Sequence, residues 1–179
     1  PLSKKGGWLM SLIPTTSLSL DIIQRLEPLS HAYRFLPIGG GTEGKAPLVK
    51  DWPHYPGSSI ENLVRWPGIK SIGVITGPSL LCFDFDGQSA LEKAIKVHGL
   101  NPDGVRTWRI NRDNDPHRLK LIFRPTAQQL AELPDGQITS SEATKPKAVD
   151  EVTGSVISKG EAIEVFLHPA RQVIVAGDH

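Results

Sequence analysis

Residues 80–87 read Leu-Leu-Cys-Phe-Asp-Phe-Asp-Gly: an apolar run leads into two carboxylates one residue apart, then a glycine. In a β-strand, side chains at i and i+2 leave the same face, so Asp84 and Asp86 point one way while Phe83 and Phe85 point the other. Two carboxylates that close do not both stay ionised cheaply unless something positive lies between them. A divalent cation meets that need, and oxygen donors on a rigid strand suit Mg²⁺ or Mn²⁺ better than a softer metal. The competing reading is a strand that ends in an Asp-Gly turn with both acids solvated. The apolar run before the pair favours a fixed geometry.

The elements around the pair follow from capping and periodicity. Residues 19–29 place Leu20, Ile23 and Leu26 near helical spacing, with Ser19 as N-cap. Residues 37–57, rich in Gly and Pro, read as loop. Ser58 and Glu61 form a capping pattern for a short helix that Pro67 stops, and Ser89 with Glu92 repeats it for a helix ending at Gly99. Strands are expected at 71–76, 80–86, 105–110, 119–124, 162–167 and 172–176. Thr126 caps a helix over 127–133 that ends at Pro134. Residues 135–160 are polar and read as a mobile loop, and His168-Pro169-Ala170 reads as a hairpin-like turn between the last two strands. Strands that follow one another directly argue for α+β with a largely antiparallel or mixed sheet flanked by short helices, rather than alternating βαβ units.

Composition narrows the classes. At 179 residues and 19.5 kDa the chain suits one domain with a real core. Its 17 Gly and 15 Pro imply many turns and argue against a helical bundle. The single Cys82 excludes an internal disulfide and any thiolate zinc set. No apolar run approaches a membrane span and the start lacks a signal-peptide core, so the cytoplasm is the expected compartment. Twenty basic against 19 acidic residues leave a net charge of +1, so a nucleic-acid partner must be sought in local clusters. Residues 1–13, around the lone Met10, read as an N-terminal tail or a remnant of upstream sequence. The domain is expected over 14–179, truncated at its C-terminal end.

An apolar strand ending in Asp-x-Asp-Gly resembles the first motif of haloacid-dehalogenase-like phosphatases, in which Asp84 would be the nucleophile and Asp86 the general acid. That pattern normally opens its chain and continues with Thr or Val. Here the pair lies mid-chain, Gln88 follows, and the only downstream acidic motif is Gly177-Asp178. Four other stretches, in order, resemble the bifunctional DNA primase/polymerase (prim-pol) domain of the archaeo-eukaryotic primase superfamily: GKAPLVKDW (44–52), IGVITGPSLLCFDFDG (72–87), DPHRLKLIFRP (115–125) and AIEVFLHPARQVIVAGDH (162–179). The resemblance implies a primase-polymerase core of RRM-like build. It implies DNA template and primer with NTP or dNTP as partners, and Mg²⁺ or Mn²⁺ as cofactor. The setting it implies is a plasmid- or phage-type replication protein, in which a helicase domain commonly follows.

Residue by residue, the resemblance makes Asp84, Asp86 and Glu164 the metal triad. Glu164 lies within Ile163…Val165-Phe166, where an unpaired buried carboxylate is costly and ligation would relieve it; the alternative is a solvated strand face. The family often has Ser-x-His in its second motif. Here Lys120 holds the usual His position, with His117 and Arg118 beside it, and Arg118 and Lys120 share a strand face. Such cations suit triphosphate oxygens. Arg112, in the loop between two strands, is placed to reach phosphate or template, whereas Arg106, Arg109 and Arg124 read as solvated. Arg171 and His179 match the segment after the third motif as phosphate or sugar contacts. Lys45 matches the early segment as a nucleotide or template contact, and Trp52 there reads as core. The altered second motif keeps open a non-catalytic, DNA-binding replication domain.

Overall fold

The computed structural model describes residues 20–112 and 114–177. The chain folds as α+β, with every strand pair antiparallel. Helix α1 (Leu20–Leu26) and a 3₁₀ turn lead to β1 (Phe35–Gly40) and β2 (Ala46–Pro47), then α2 (Ile60–Leu63) and β3 (Ser71–Ile75). After these come β4 (Leu81–Asp86), α3 (Gln88–Lys96), β5 (Trp108–Arg112), β6 (Asp115–Phe123) and α4 (Ala127–Ala131). The chain continues with β7 (Ile138–Lys145), β8 (Ala148–Val149), β9 (Val156–Ser158), β10 (Glu161–Leu167) and β11 (Gln172–Gly177). One sheet has the order β11-β3-β1-β2, a second β5-β6-β4-β10-β7, and β8-β9 form a separate hairpin.

The two larger sheets share a core. Phe35, Ile72, Val74 and Val173 from the first meet Cys82 and Ile122 from the second, with Leu26, Ile60 and Leu63 closing the sides. On the far face of the second sheet, Phe85, Leu119, Leu121 and Ile163 pack against Ala90 and Ala94 of α3. Alternation along β4 therefore sends Phe85, with no exposed surface, to the helix side. Burying it stabilises by roughly 1.5–3 kcal/mol. The same alternation commits Asp84 and Asp86 to the face that looks toward the first sheet.

Several expected elements differ. Residues 37–40 are strand, not loop: Leu36 and Ile38 are fully buried, and a Cβ at Gly39 would lie 2.3 Å from the Gly68 carbonyl. The glycine there serves a close backbone approach rather than a turn. Ser59, not Ser58, caps α2 by accepting from the Asn62 N–H (3.3 Å). Helix α3 starts two residues earlier than a Ser89 cap allows, with Gly87 at its N-cap and no side chain of its own capping it. Thr126 and Gln129 form the full capping box of α4.

Residues 135–160 are not a mobile loop. They contain β7, which pairs along the whole of β10, and the β8-β9 hairpin. A strand with one partner, on a sheet edge, needs few large apolar residues, which is why the segment reads as polar. His168-Pro169-Ala170 does not close a hairpin either, because β10 and β11 belong to different sheets. It packs against the β3-β4 turn, where the buried Thr76 Oγ1 donates to the His168 carbonyl (2.8 Å).

Candidate active site

The site is a row across the second sheet. Register places Ile110, Lys120, Asp84, Glu164 and Ser141 directly opposite one another on β5, β6, β4, β10 and β7. Directly opposed residues project from the same face, with Cβ atoms about 4.5–5.5 Å apart. The next row along β4 pairs Asp86 with Arg118. One step the other way, Cys82 and Ile122 enter the shared core. The face is thus closed by the first sheet behind Asp84 and opens as a cleft in front of it.

Each acid of the pair has its own cation. The Lys120 ammonium donates to Asp84 Oδ2, both side chains being less than a fifth exposed. Arg118 Nη1 lies 3.1 Å from Asp86 Oδ1, and its Nε lies 3.3 Å from Asp115 Oδ2. These contacts resolve the like-charge repulsion between the two acids. Burial pushes the Cys82 thiol well above its ordinary value, and the neighbouring Asp84 charge pushes it further. A thiol so protonated is no nucleophile.

Glu164 is exposed, which corrects the expectation that burial in its apolar run would demand a ligand: that strand sends Ile163 inward and Glu164 out. It stands beside Asp84 on the same face. Among the described residues, no three His, Cys, Asp or Glu side chains converge closely enough to hold a metal ion as they stand. The donor chemistry of Asp84, Asp86 and Glu164, three carboxylates on neighbouring strands of one face, fits a hard divalent cation once Lys120 and Arg118 give way.

Arg112, Asn111, Ile110 and Leu119 complete the cleft walls around Asp84, Asp86, Arg118 and Lys120. Arg112 ends β5 rather than lying in a loop. An adjoining cavity of about 220 Å³ shares Asp86 and Arg118 and adds Gly87, Gln88, Asp115, His117, Lys159 and Glu161. The His117 side chain is exposed there, and the backbone N–H of the residue donates to Asp115 Oδ1 (3.0 Å). Lys45 lies between β1 and β2 in an ion pair with Glu43 (2.7 Å), and its carbonyl accepts from Gln172 Nε2 (3.3 Å). It does not line the cleft. Arg171 lies in the connection from β10 to β11, where its carbonyl accepts from the Thr76 N–H (3.0 Å). That is the end where β4 begins, opposite Asp86. His179, like residues 1–13, lies outside the described residues.

Glu161, one residue before the strand expected at 162–167, is a residue that the sequence does not single out. Its Oε2 accepts from the Ser89 N–H (2.7 Å), capping α3 from another strand, and its Oε1 lies 3.3 Å from Lys145 Nζ. The bond from Ser89 is the main cause that holds its carboxyl below the usual carboxylate range. Gly87 has φ 139°, and a Cβ there would lie 2.4 Å from this carboxyl. The glycine after the acid pair is therefore required twice, by its backbone and by Glu161. The sequence carries no signal for this contact, because Ser89 and Glu92 read as a capping pattern of their own.

An antiparallel α+β core thus gathers carboxylates and cations on one open sheet face. A family model described as bifunctional DNA primase/polymerase, N-terminal, matches residues 10–176, and the chain belongs to that family. The family is one of DNA primases and polymerases, so the chain is of nucleotidyltransferase type, with DNA and nucleotides as the substrates its family implies. No curated protein matches the chain. Among the described residues no helix is long and apolar enough to cross a membrane.

Proposed function

We propose that the domain adds nucleotides to a primer or new strand on a DNA template by two-metal nucleotidyl transfer, within a plasmid- or phage-type replication protein. The observation that carries this reading is the register that sets Lys120, Asp84 and Glu164 in one row. Asp84, Asp86 and Glu164 are the residues that would hold Mg²⁺ or Mn²⁺, which when bound supplies charge neutralisation and a more acidic 3′-hydroxyl. Lys120 and Arg118 grip the incoming triphosphate and set its α-phosphorus in line with the attacking hydroxyl. Positioning of this kind accounts for much of the rate in phosphoryl chemistry. Arg112 on one wall and His117 in the adjoining cavity extend the positive lining toward the rest of the triphosphate or the template phosphates.

Extension of a primed DNA template with Mn²⁺ and nucleotides tests the reading. Asp84→Asn is expected to abolish product while the circular-dichroism spectrum stays that of the wild type. Product at the wild-type rate would overturn it. One observation favours a second reading, a domain that binds DNA without catalysis: both acids of the pair are already matched by cations. A wild-type chain that shifts DNA yet makes no product under any metal would establish that reading. Family membership sets aside the phosphatase.

A further inference from the structure

The two acid–cation contacts are not alike. Arg118 is shared between Asp86 and Asp115, on two different atoms, so it is anchored whatever happens at Asp86. Among the described residues Lys120 has one ion-pair partner, Asp84, with both side chains less than a fifth exposed. Its charge sits at the end of a flexible four-carbon stem, free to swing once another cation takes its place. Glu164, in the same row, has no ion pair among the described residues.

We infer that Lys120 is an internal stand-in for the metal ion at Asp84, exchanged for it when nucleotide arrives, so that metal and triphosphate bind weakly alone and tightly together. This inference rests on the reading under "Proposed function". In the free chain the Lys120 ammonium neutralises Asp84, and a divalent cation must displace it into a cleft that offers it no other carboxylate in its row but the Glu164 it would share with the incoming metal. A triphosphate supplies the missing anion. Lys120 then moves from carboxylate to phosphate, and Asp84 is released to the metal. The coupling is reciprocal: whatever the nucleotide does for the metal, the metal does for the nucleotide. The exchange also leaves neither Lys120 nor Asp84 without an opposite charge once both ligands are bound, which spares the costs of isolated charges in a partly buried site.

Two binding measurements on the whole chain test it, with circular dichroism to verify each variant's fold. In the first, Mn²⁺ alone is titrated and followed by electron paramagnetic resonance. Lys120→Met is expected to take Mn²⁺ about tenfold more tightly than wild type, and Arg124→Met, which removes an exposed cation that does not line the cleft, to change it by less than about twofold. In the second, a fluorescent nucleoside triphosphate is titrated in EDTA and followed by anisotropy. Asp84→Asn frees Lys120 and is expected to bind the nucleotide about tenfold more tightly than wild type. Glu164→Gln removes the same charge from the same row but frees no cation, and is expected to change binding by less than about twofold. The inference is overturned if Lys120→Met binds Mn²⁺ no more tightly than wild type, or if Glu164→Gln equals Asp84→Asn in EDTA. The underlying reading fails separately if the wild type binds no nucleotide even with Mn²⁺ present.

Discussion

At the scale of single residues, charge and burial divide the work. Asp84 and Asp86 are faced by Lys120 and Arg118, and the thiol one step back stays protonated because it is buried beside a carboxylate. Lys120→Ala is expected to raise KM for nucleotide about tenfold or more in a primed-template assay, since a charge-assisted phosphate contact is worth roughly 1.5–3 kcal/mol. A KM unchanged from wild type would remove Lys120 from the nucleotide site. Glu161 adds a pH dependence. Its carboxyl is held below its ordinary value, so its stabilising effect is present above the unfolded value near 4.5 and is lost as pH falls through the lower folded value. Glu161→Gln should therefore flatten the acid side of a Tm–pH curve, and should lower Tm at neutral pH by the loss of a helix cap worth about 1 kcal/mol. A curve that overlays the wild type would show that the cap carries no weight.

At the scale of elements, the site depends on how β4 hands over to α3. Phe85 locks the strand from behind, and the Gly87 turn under Glu161 fixes where Asp86 ends. Gly87→Ala places a Cβ against that carboxyl and strains the backbone, an effect expected to cost about 1–3 kcal/mol and to lower Tm by several degrees. Pairing it with Glu161→Ala should recover part of the loss, because the clash partner is gone. No recovery in the double variant would place the strain in the backbone alone. The elements that carry their own local signal are readable from sequence: β4 from its apolar run into the acids, and the α4 cap from Thr126 and Gln129. Those whose identity depends on distant partners are not. β1 hides behind a glycine run in which Gly39 makes room for the Gly68 carbonyl, and β7 looks like loop because an edge strand buries little. The acid pair and the cations of β6 are legible as a site, whereas which cation meets which acid is a matter of register, and register is set across strands.

At the scale of the whole molecule, two sheets share one core and the chain passes between them at the β3-β4 turn and again from β10 to β11. Both passages meet at Thr76, whose hydroxyl donates to the His168 carbonyl in a fully buried setting. That hydrogen bond ties the end of β3, in the other sheet, to the end of β10, the strand that carries Glu164. Thr76→Val should cost about 1–3 kcal/mol, read as a lower urea midpoint, by leaving the carbonyl short of its donor. An unchanged midpoint would mean the two passages hold without it. Sheet membership of β10 and β11 cannot be read from their adjacency in sequence, since a short connection serves a hairpin and a change of sheet equally well.

Primer extension by Glu164→Gln is the sharpest test of the three-acid centre. This carboxylate is exposed, fills no core and has no ion pair among the described residues, so its loss has little reason to disturb the fold. A third acid of a nucleotidyl-transfer centre is required for the chemistry, so the variant should keep the wild-type Tm while its Mn²⁺-dependent extension falls by more than about a hundredfold. Extension at the wild-type rate by the folded variant would contradict a centre built on these three acids.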